Sequence, residues 1–325
     1  MSGGAQPGGM PGAAPEALPQ APGLAGRAVK VKVPATSANL GPGFDTLGLA
    51  LAQYDELEAR VVDAGLEVEV HGVGEGEVPL DASHLVVRAI AHSFARAGFA
   101  LPPLRLVAHN TIPHGRGLGS SGAAIVAGVM IAKGLLEGVV DFDADRLLEL
   151  ATELEGHPDN VAPALFGGLT IAWTTPEGPR HKKLIVHRGV SPLVLVPEHE
   201  MSTALARSLQ PEQVPHEDAV FNVSRSALLV AALIQSPELL LAATEDKLHQ
   251  NYRAQAMPET DLLIRALREA GHPAVVSGAG PSILVLASDP SERAEAVRLV
   301  TERADTAWQA LPLAVDFKGA TVQPA

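Results

Sequence analysis

The chain has 325 residues, 46% of them hydrophobic and 19% charged, which is ample for a large buried core divided between two domains. A net charge of -13 argues against a surface built to neutralise nucleic acid phosphates or anionic lipid, so any anionic ligand must be held by local groups. With no cysteine there are no disulfides or thiolate metal sites. Neither a membrane-length apolar run nor a secretory signal is visible, so the cytoplasm is the expected location.

Residues 1–27 are crowded with Gly, Pro and Ala, show no hydrophobic period, and are expected to be a disordered tail. Order is expected from Val29-Lys30-Val31-Lys32-Val33, whose strict alternation gives a strand with one buried face, ended by Pro34. Leu57 to Val70 reads as two strands paired around a turn at Asp63-Ala64-Gly65. A helix follows over Leu85 to Ala97 and a strand over Leu104 to His109. Next come a Gly-rich loop, an Ala-rich helix over Gly122 to Leu136, and a helix over Asp145 to Glu155 that stops at Gly156.

Strands are expected over Gly168 to Trp173 and Leu193 to Val196, with a turn at Glu177-Gly178-Pro179 and a domain boundary near residue 190. Residues 28–190 would then form one domain and residues 191–325 the other. The second half mixes helices over Val220 to Gln235 and Asp261 to Ala270 with apolar strands at Ala274 to Ser277 and Ile283 to Ala287. That mixture is an α+β layer pattern.

The segment Pro113-His114-Gly115-Arg116-Gly117-Leu118-Gly119-Ser120-Ser121-Gly122, followed by Ala123, lies between an expected strand and an expected helix. Its glycines permit tight turns in which several amide N–H groups face one anion, and the helix adds its positive end. Ser120 and Ser121 supply hydroxyls that can touch phosphate or bound magnesium, so a triphosphate fits. The pattern is neither a Walker loop nor a complete dinucleotide fingerprint.

Pro34-Ala35-Thr36-Ser37-Ala38-Asn39-Leu40-Gly41-Pro42-Gly43-Phe44-Asp45 follows the first strand. Its glycines bracket a turn that lets Asn39 and Asp45 converge, the carboxylate suiting an ammonium group. Gly156-His157-Pro158-Asp159-Asn160-Val161-Ala162-Pro163 reads as a loop leaving a helix, with His157 and Asn160 able to hydrogen-bond a carboxylate or hydroxyl.

Together these segments resemble the homoserine kinases, a branch of the superfamily that includes galactokinase, mevalonate kinase and phosphomevalonate kinase. The resemblance runs from about residue 28 to the C-terminus. It implies an α+β two-domain fold: an N-terminal α/β domain with a left-handed crossover, then a C-terminal ferredoxin-like α+β domain. It also implies transfer of the ATP γ-phosphoryl to the side-chain hydroxyl of L-homoserine, in threonine biosynthesis.

On this resemblance the phosphate loop from Pro113 to Ala123 holds ATP, while Ser121 and a helix glutamate hold Mg2+. Glu153 is the expected ligand and Glu149 its substitute, one turn back. Asn39, Asp45, His157, Asn160, Arg207 and Arg253 would bind the amino acid, with Asn160, Arg207 and Thr203 closest to the chemistry. Where mevalonate kinase carries Asp, this branch has Asn160, so positioning and electrostatics replace a base there.

Ser277-Gly278-Ala279-Gly280-Pro281-Ser282 resembles a third glycine motif that packs on the phosphate loop. No nucleic acid or membrane partner is expected, and a homodimer is compatible with the reading without being specified. Two alternatives stay open from the residues alone: a superfamily kinase for mevalonate-like or sugar substrates, and a non-catalytic protein that keeps the cleft. A dehydrogenase using the loop for a dinucleotide is more distant.

Overall fold

A computed structural model describes residues 18–325. The first half forms β1 (Ala28–Ala38), β2 (Leu47–Val61), β3 (Leu66–Gly72), α1 (Leu85–Arg96), β4 (Leu104–Asn110), α2 (Ser120–Leu135), α3 (Ala144–Glu155), α4 (Pro158–Phe166), β5 (Leu169–Thr175) and β6 (Gly178–Leu184). The second half adds β7 (Ser191–Pro197), α5 (Thr203–Ser208), α6 (His216–Ile234), α7 (Leu240–Ala243), α8 (Gln250–Arg253), α9 (Pro258–Glu269), β8 (Ala274–Val276), β9 (Ile283–Ala287), α10 (Pro290–Arg303), β10 (Trp308–Pro312) and β11 (Thr321–Pro324).

One sheet has the order β11-β1-β2-β4-β3, with β5 branching from the start of β2 and β6 beyond it. β2 and β3 both form, yet they do not pair with each other as their sequence suggested. β4 lies between them, antiparallel to β2 and parallel to β3. The short Asp63-Ala64-Gly65 link therefore does not close a hairpin, and α1 makes the crossover from β3 to β4 that a parallel pair requires.

Helix α2 is buried along most of its length against α1, β1, α3 and α4, which is why its sequence is apolar on every side. Small residues make this possible. A Cβ on Gly128 would lie 2.5 Å from the Ala89 Cβ and 2.6 Å from the Val86 carbonyl oxygen, so α1 and α2 cross at backbone contact.

The second sheet has the order β10-β7-β9-β8, and its three strand pairs are antiparallel among the described residues. In chain order its strands are ranked fourth, first, third and second, with helices inserted after the first and third. That is the ferredoxin-like arrangement.

Two expectations about the chain ends are corrected. Order begins by Leu18 rather than at residue 28. Ala21 and Leu24 are buried in the core, and the Arg27 guanidinium donates to the carbonyls of Leu135 and Glu137 at 2.9 and 2.7 Å. Residues 1–17 lie outside the described residues. At the other end, β11 pairs with β1, so the last stretch of the chain belongs to the first sheet and not to the second domain's sheet. Among the described residues no helix is long and apolar enough to cross a membrane.

Candidate active site

The Gly-rich loop connects β4 to α2, and α2 begins at Ser120, two residues earlier than expected. Both serines and Gly122 thus occupy its first turn. Among the described residues no side chain caps this helix, whose N-cap is Gly119 in the left-handed region, so first-turn N–H groups remain for an anion. Two glycines are dictated by their neighbours as well as by positive φ. A Cβ on Gly117 would sit 2.1 Å from the Ser277 carbonyl oxygen, and one on Gly119 would sit 2.0 Å from Thr36 Oγ1.

The loop is held from below by two other segments. Thr36 N donates to the Leu118 carbonyl at 3.0 Å, and Ser277 Oγ donates to the Gly117 carbonyl at 2.7 Å. Gly278 N donates to Ala38 O at 3.1 Å, so the third glycine motif packs against both the first strand and the loop.

Not every loop side chain faces a ligand. Leu118 is fully buried in the core and offers only its backbone. Pro113 precedes the turn and does not line the cleft. The Arg116 guanidinium donates to the carbonyls of His114, Pro197 and Glu198 and to the Glu200 carboxylate. These four bonds use most of its five N–H donors, so it staples the loop to the second domain rather than gripping phosphate.

On the opposite wall, Asn39 and Asp45 converge as their turn suggested, both with positive φ. Asn39 Oδ1 accepts from Asp45 N at 3.0 Å and its Nδ2 donates to Gly278 O at 2.9 Å. This amide is spent on building the turn, which leaves the Asp45 carboxylate to face the cleft. Arg207 grips that carboxylate with both terminal nitrogens, at 2.8 and 3.2 Å. α5 presents Thr203 and Arg207 one turn apart, and Ser202 caps it by accepting from Leu205 N.

Arg253 is only 2% exposed, donates to Gly278 O at 3.2 Å, and lies over the Phe44 ring at 5.2 Å. Its Nε has no partner among the described residues. Burial lowers its pKa to about 10, which still leaves it charged at neutral pH.

The His157 to Pro163 segment is helical rather than a loop. Pro158 occupies the first turn of α4, where its missing N–H costs nothing, and His157 is the N-cap. His157 Nδ1 contacts the carboxylate of Asp159, which is 2% exposed. That hydrogen bond holds the imidazole pKa above its ordinary value. Asn160 faces the cleft from the next position and accepts from Thr36 Oγ1 at 3.1 Å.

Glu153, the expected metal ligand, does not line the cleft. Glu153 is tied to Arg96 at 2.9 Å and His92 at 2.7 Å on α1, and Glu149 is tied to Arg96 and Arg146. Both belong to the helix face that packs on α1. Glu155, two residues on, accepts from Ser121 Oγ at 3.1 Å, and burial raises its carboxyl pKa above the ordinary range. Two positions on a helix rotate a side chain by about 200°, so the two glutamates face opposite ways.

A cleft of about 180 Å³ collects these groups, including Asp45, Ser121, Glu155, His157, Arg207 and Arg253. Asn39, Thr203, Asn160 and the loop residues Gly115, Gly117, Gly119 and Ser120 also line it. A second cavity of about 300 Å³ shares Ser120 and Ser121 and runs between α1 and α2 over largely apolar walls. His114, Ala123 and Asp55 border that cavity. Sequence reasoning gave no role to Glu155, Asp159 or Thr36. The signal for the first two was their place within and beside the His157 motif.

Comparison with known proteins agrees with this geometry. Residues 84–168 match the family described as GHMP kinases N terminal domain, and residues 228–305 match GHMP kinases C terminal. The chain is 76% identical to a homoserine kinase of Leifsonia xyli subsp. xyli, over 92% of this chain and 93% of that one. It is 49% identical to a homoserine kinase of Streptomyces coelicolor, over 93% and 97%. A crystal structure of homoserine kinase from Cytophaga hutchinsonii superposes with a TM-score of 0.82 at 28% identity, covering 91% of this chain and 98% of that one. A family match on both halves of the fold, with identity this high across nearly the whole chain, places the protein among the homoserine kinases of the GHMP kinase family.

Proposed function

We propose that the chain transfers the γ-phosphoryl of ATP to the side-chain hydroxyl of L-homoserine, giving ADP and O-phospho-L-homoserine as a step in threonine biosynthesis. The observation that carries this reading is the meeting, in one cleft, of a glycine loop at a helix N-terminus with Asp45, Arg207 and Arg253. One wall suits a polyphosphate and the other an α-amino acid.

The α2 N-terminus and loop amides hold the phosphates, and the apolar cavity beyond Ser120 and Ser121 takes the nucleoside. Arg253, whose Nε has no partner among the described residues and most of whose surface is desolvated, takes the substrate carboxylate. Asp45 takes the ammonium, sharing its charge with Arg207. Asn160 donates toward the reacting oxygens, a contact that matters most as charge spreads over the transferring group.

The Ser121 hydroxyl and Glu155 carboxylate form a hard-oxygen pair beside the phosphate site, and a partly buried carboxylate with a raised pKa is a group that gains from a cation. They fit Mg2+, which when bound supplies neutralisation of phosphate charge. Asp159 is engaged with His157, and the site works by positioning, not by a carboxylate at residue 160.

The test is Mg2+-dependent ADP release with ATP and, separately, L-homoserine, L-threonine, L-serine, mevalonate and galactose. Turnover confined to homoserine supports the assignment. Turnover only with mevalonate or galactose would move the chain elsewhere in the superfamily, and ATP binding without turnover on any acceptor would favour a non-catalytic role.

A further inference from the structure

Two consecutive hydroxyls, Thr36 and Ser37, lie in β1 with no solvent exposure. Their neighbours Val33, Ala35 and Ala38 are hydrocarbon and equally buried. A hydroxyl in such surroundings costs stability unless it is hydrogen-bonded, so each must have a specific partner. Alternation along a strand sends them to opposite faces. Ser37 Oγ shares a hydrogen bond with Ser277 Oγ at 2.9 Å, on the side of the third glycine motif. Thr36 donates to Asn160 Oδ1 at 3.1 Å, on the side of α4.

Thr36 is also where the phosphate loop touches the first strand. Its N–H donates to Leu118 O, and the 2.0 Å approach of a Cβ built on Gly119 places its hydroxyl directly under that residue. The hydroxyl therefore sits between the loop and the amide of Asn160.

We propose that Thr36 is a positioning residue for Asn160, on the kinase reading above. A side-chain amide has two orientations of nearly equal shape, related by a half-turn, that exchange its donor and acceptor ends. The Thr36 hydroxyl, donating to Oδ1, selects one of them and directs the Nδ2 donors into the cleft. The other orientation would present a carbonyl oxygen to the oxygens of the transferring phosphoryl, a repulsion where attraction is needed. The hydroxyl thus acts on the reaction through Asn160 and touches no reacting atom itself.

The experiment compares Thr36→Val, Thr36→Ala and Thr36→Ser by homoserine-dependent ADP release, with ATP affinity and Tm measured for each. Val keeps the shape and loses the hydroxyl, Ala relieves any contact of the added methyl with Gly119, and Ser restores the donor. Val and Ala should each lower kcat by about tenfold, the worth of one well-placed hydrogen bond. Ser should recover most of it, with KM for ATP unchanged in all three. In an Asn160→Ala background, Thr36→Val should cost nothing further.

A Ser variant as slow as Val, or Thr36 and Asn160 effects that multiply independently, would overturn the positioning role. Loss of ATP affinity in step with kcat would also overturn it, by reducing Thr36 to a prop for the loop. An active wild-type chain with an undiminished Thr36→Val variant refutes this proposal alone, whereas a wild type inactive toward homoserine refutes the kinase reading with it.

Discussion

The two walls of the cleft are built by different means. The phosphate wall is backbone locked in place: Gly117 and Gly119 leave no room for a Cβ, and bonds from the Thr36 N–H and the Ser277 hydroxyl fix the loop from two distant segments. The amino-acid wall is made of charged side chains from separate elements, and its Asp45–Arg207 pair is about a third exposed on each side. Exposed pairs contribute little to stability, so they can be rearranged at small cost. Rigidity is concentrated where a phosphate must meet N–H groups that cannot move, and adaptability where the substrate brings its own charges.

The sharpest way to break this contrast is Gly119→Ala. The residue has φ +69, and its new Cβ would overlap Thr36 Oγ1. Displacing the loop by a fraction of an ångström to an ångström should cut turnover by about a hundredfold or more, with a measurable fall in Tm and in ATP affinity. Full activity in this variant would show that the phosphate wall is as adaptable as the other.

Arg253→Met tests the most buried charge of the amino-acid wall. The KM for homoserine should rise by about two orders of magnitude, as for other truncated buried charge contacts, while the KM for ATP stays constant. A parallel loss for both substrates would mean that Arg253 supports the Gly278 turn and not the substrate.

Glu155→Gln probes the boundary between the walls. The Mg2+ concentration for half-maximal turnover should rise by about tenfold or more. Because burial raises the Glu155 pKa, folding favours its protonated form, and the cost of the charge grows as pH rises above the ordinary value of 4.5. The Gln variant without ligands should therefore melt higher than wild type at neutral pH, by roughly 1–3 °C, and lose that advantage near pH 4. An unchanged Mg2+ response would remove Glu155 from the metal site.

The smallest effect is expected from Glu153→Gln. This side chain pairs with Arg96 and His92 away from the cleft, so activity should stay within about twofold and stability should fall by under about 1 kcal/mol. A large loss of activity would restore Glu153 to the metal site.

How much of this was legible depends on the range of the interactions involved. The first part of β1, helices α1 and α3 and the Gly156 stop follow from alternation, 3.6-residue periodicity and a left-handed cap, all local effects, whereas β1 runs past its expected end at Pro34 to Ala38 because it stays paired with β2 across an irregularity. Missed were the insertion of β4 between β2 and β3, the return of β11 to β1, and the helical course of α4. Pro158 and Pro163 made α4 read as a loop. Yet Pro158 sits where no N–H is needed, and burial of Val161, Ala162 and Leu165 carries the rest.

By itself the sequence determined the glycine loop and the turn that joins Asn39 to Asp45, because each depends on residues close in the chain; His157, Asn160, Arg207 and Arg253 were expected together only through the family resemblance. Only the tertiary structure decided that Glu155 and not Glu153 meets Ser121, that Arg116 binds the second domain, and that Thr36 meets Asn160. Those choices turn on which face of a helix or strand meets a segment far away in sequence. A rotation of one or two residues reverses them without changing the local pattern.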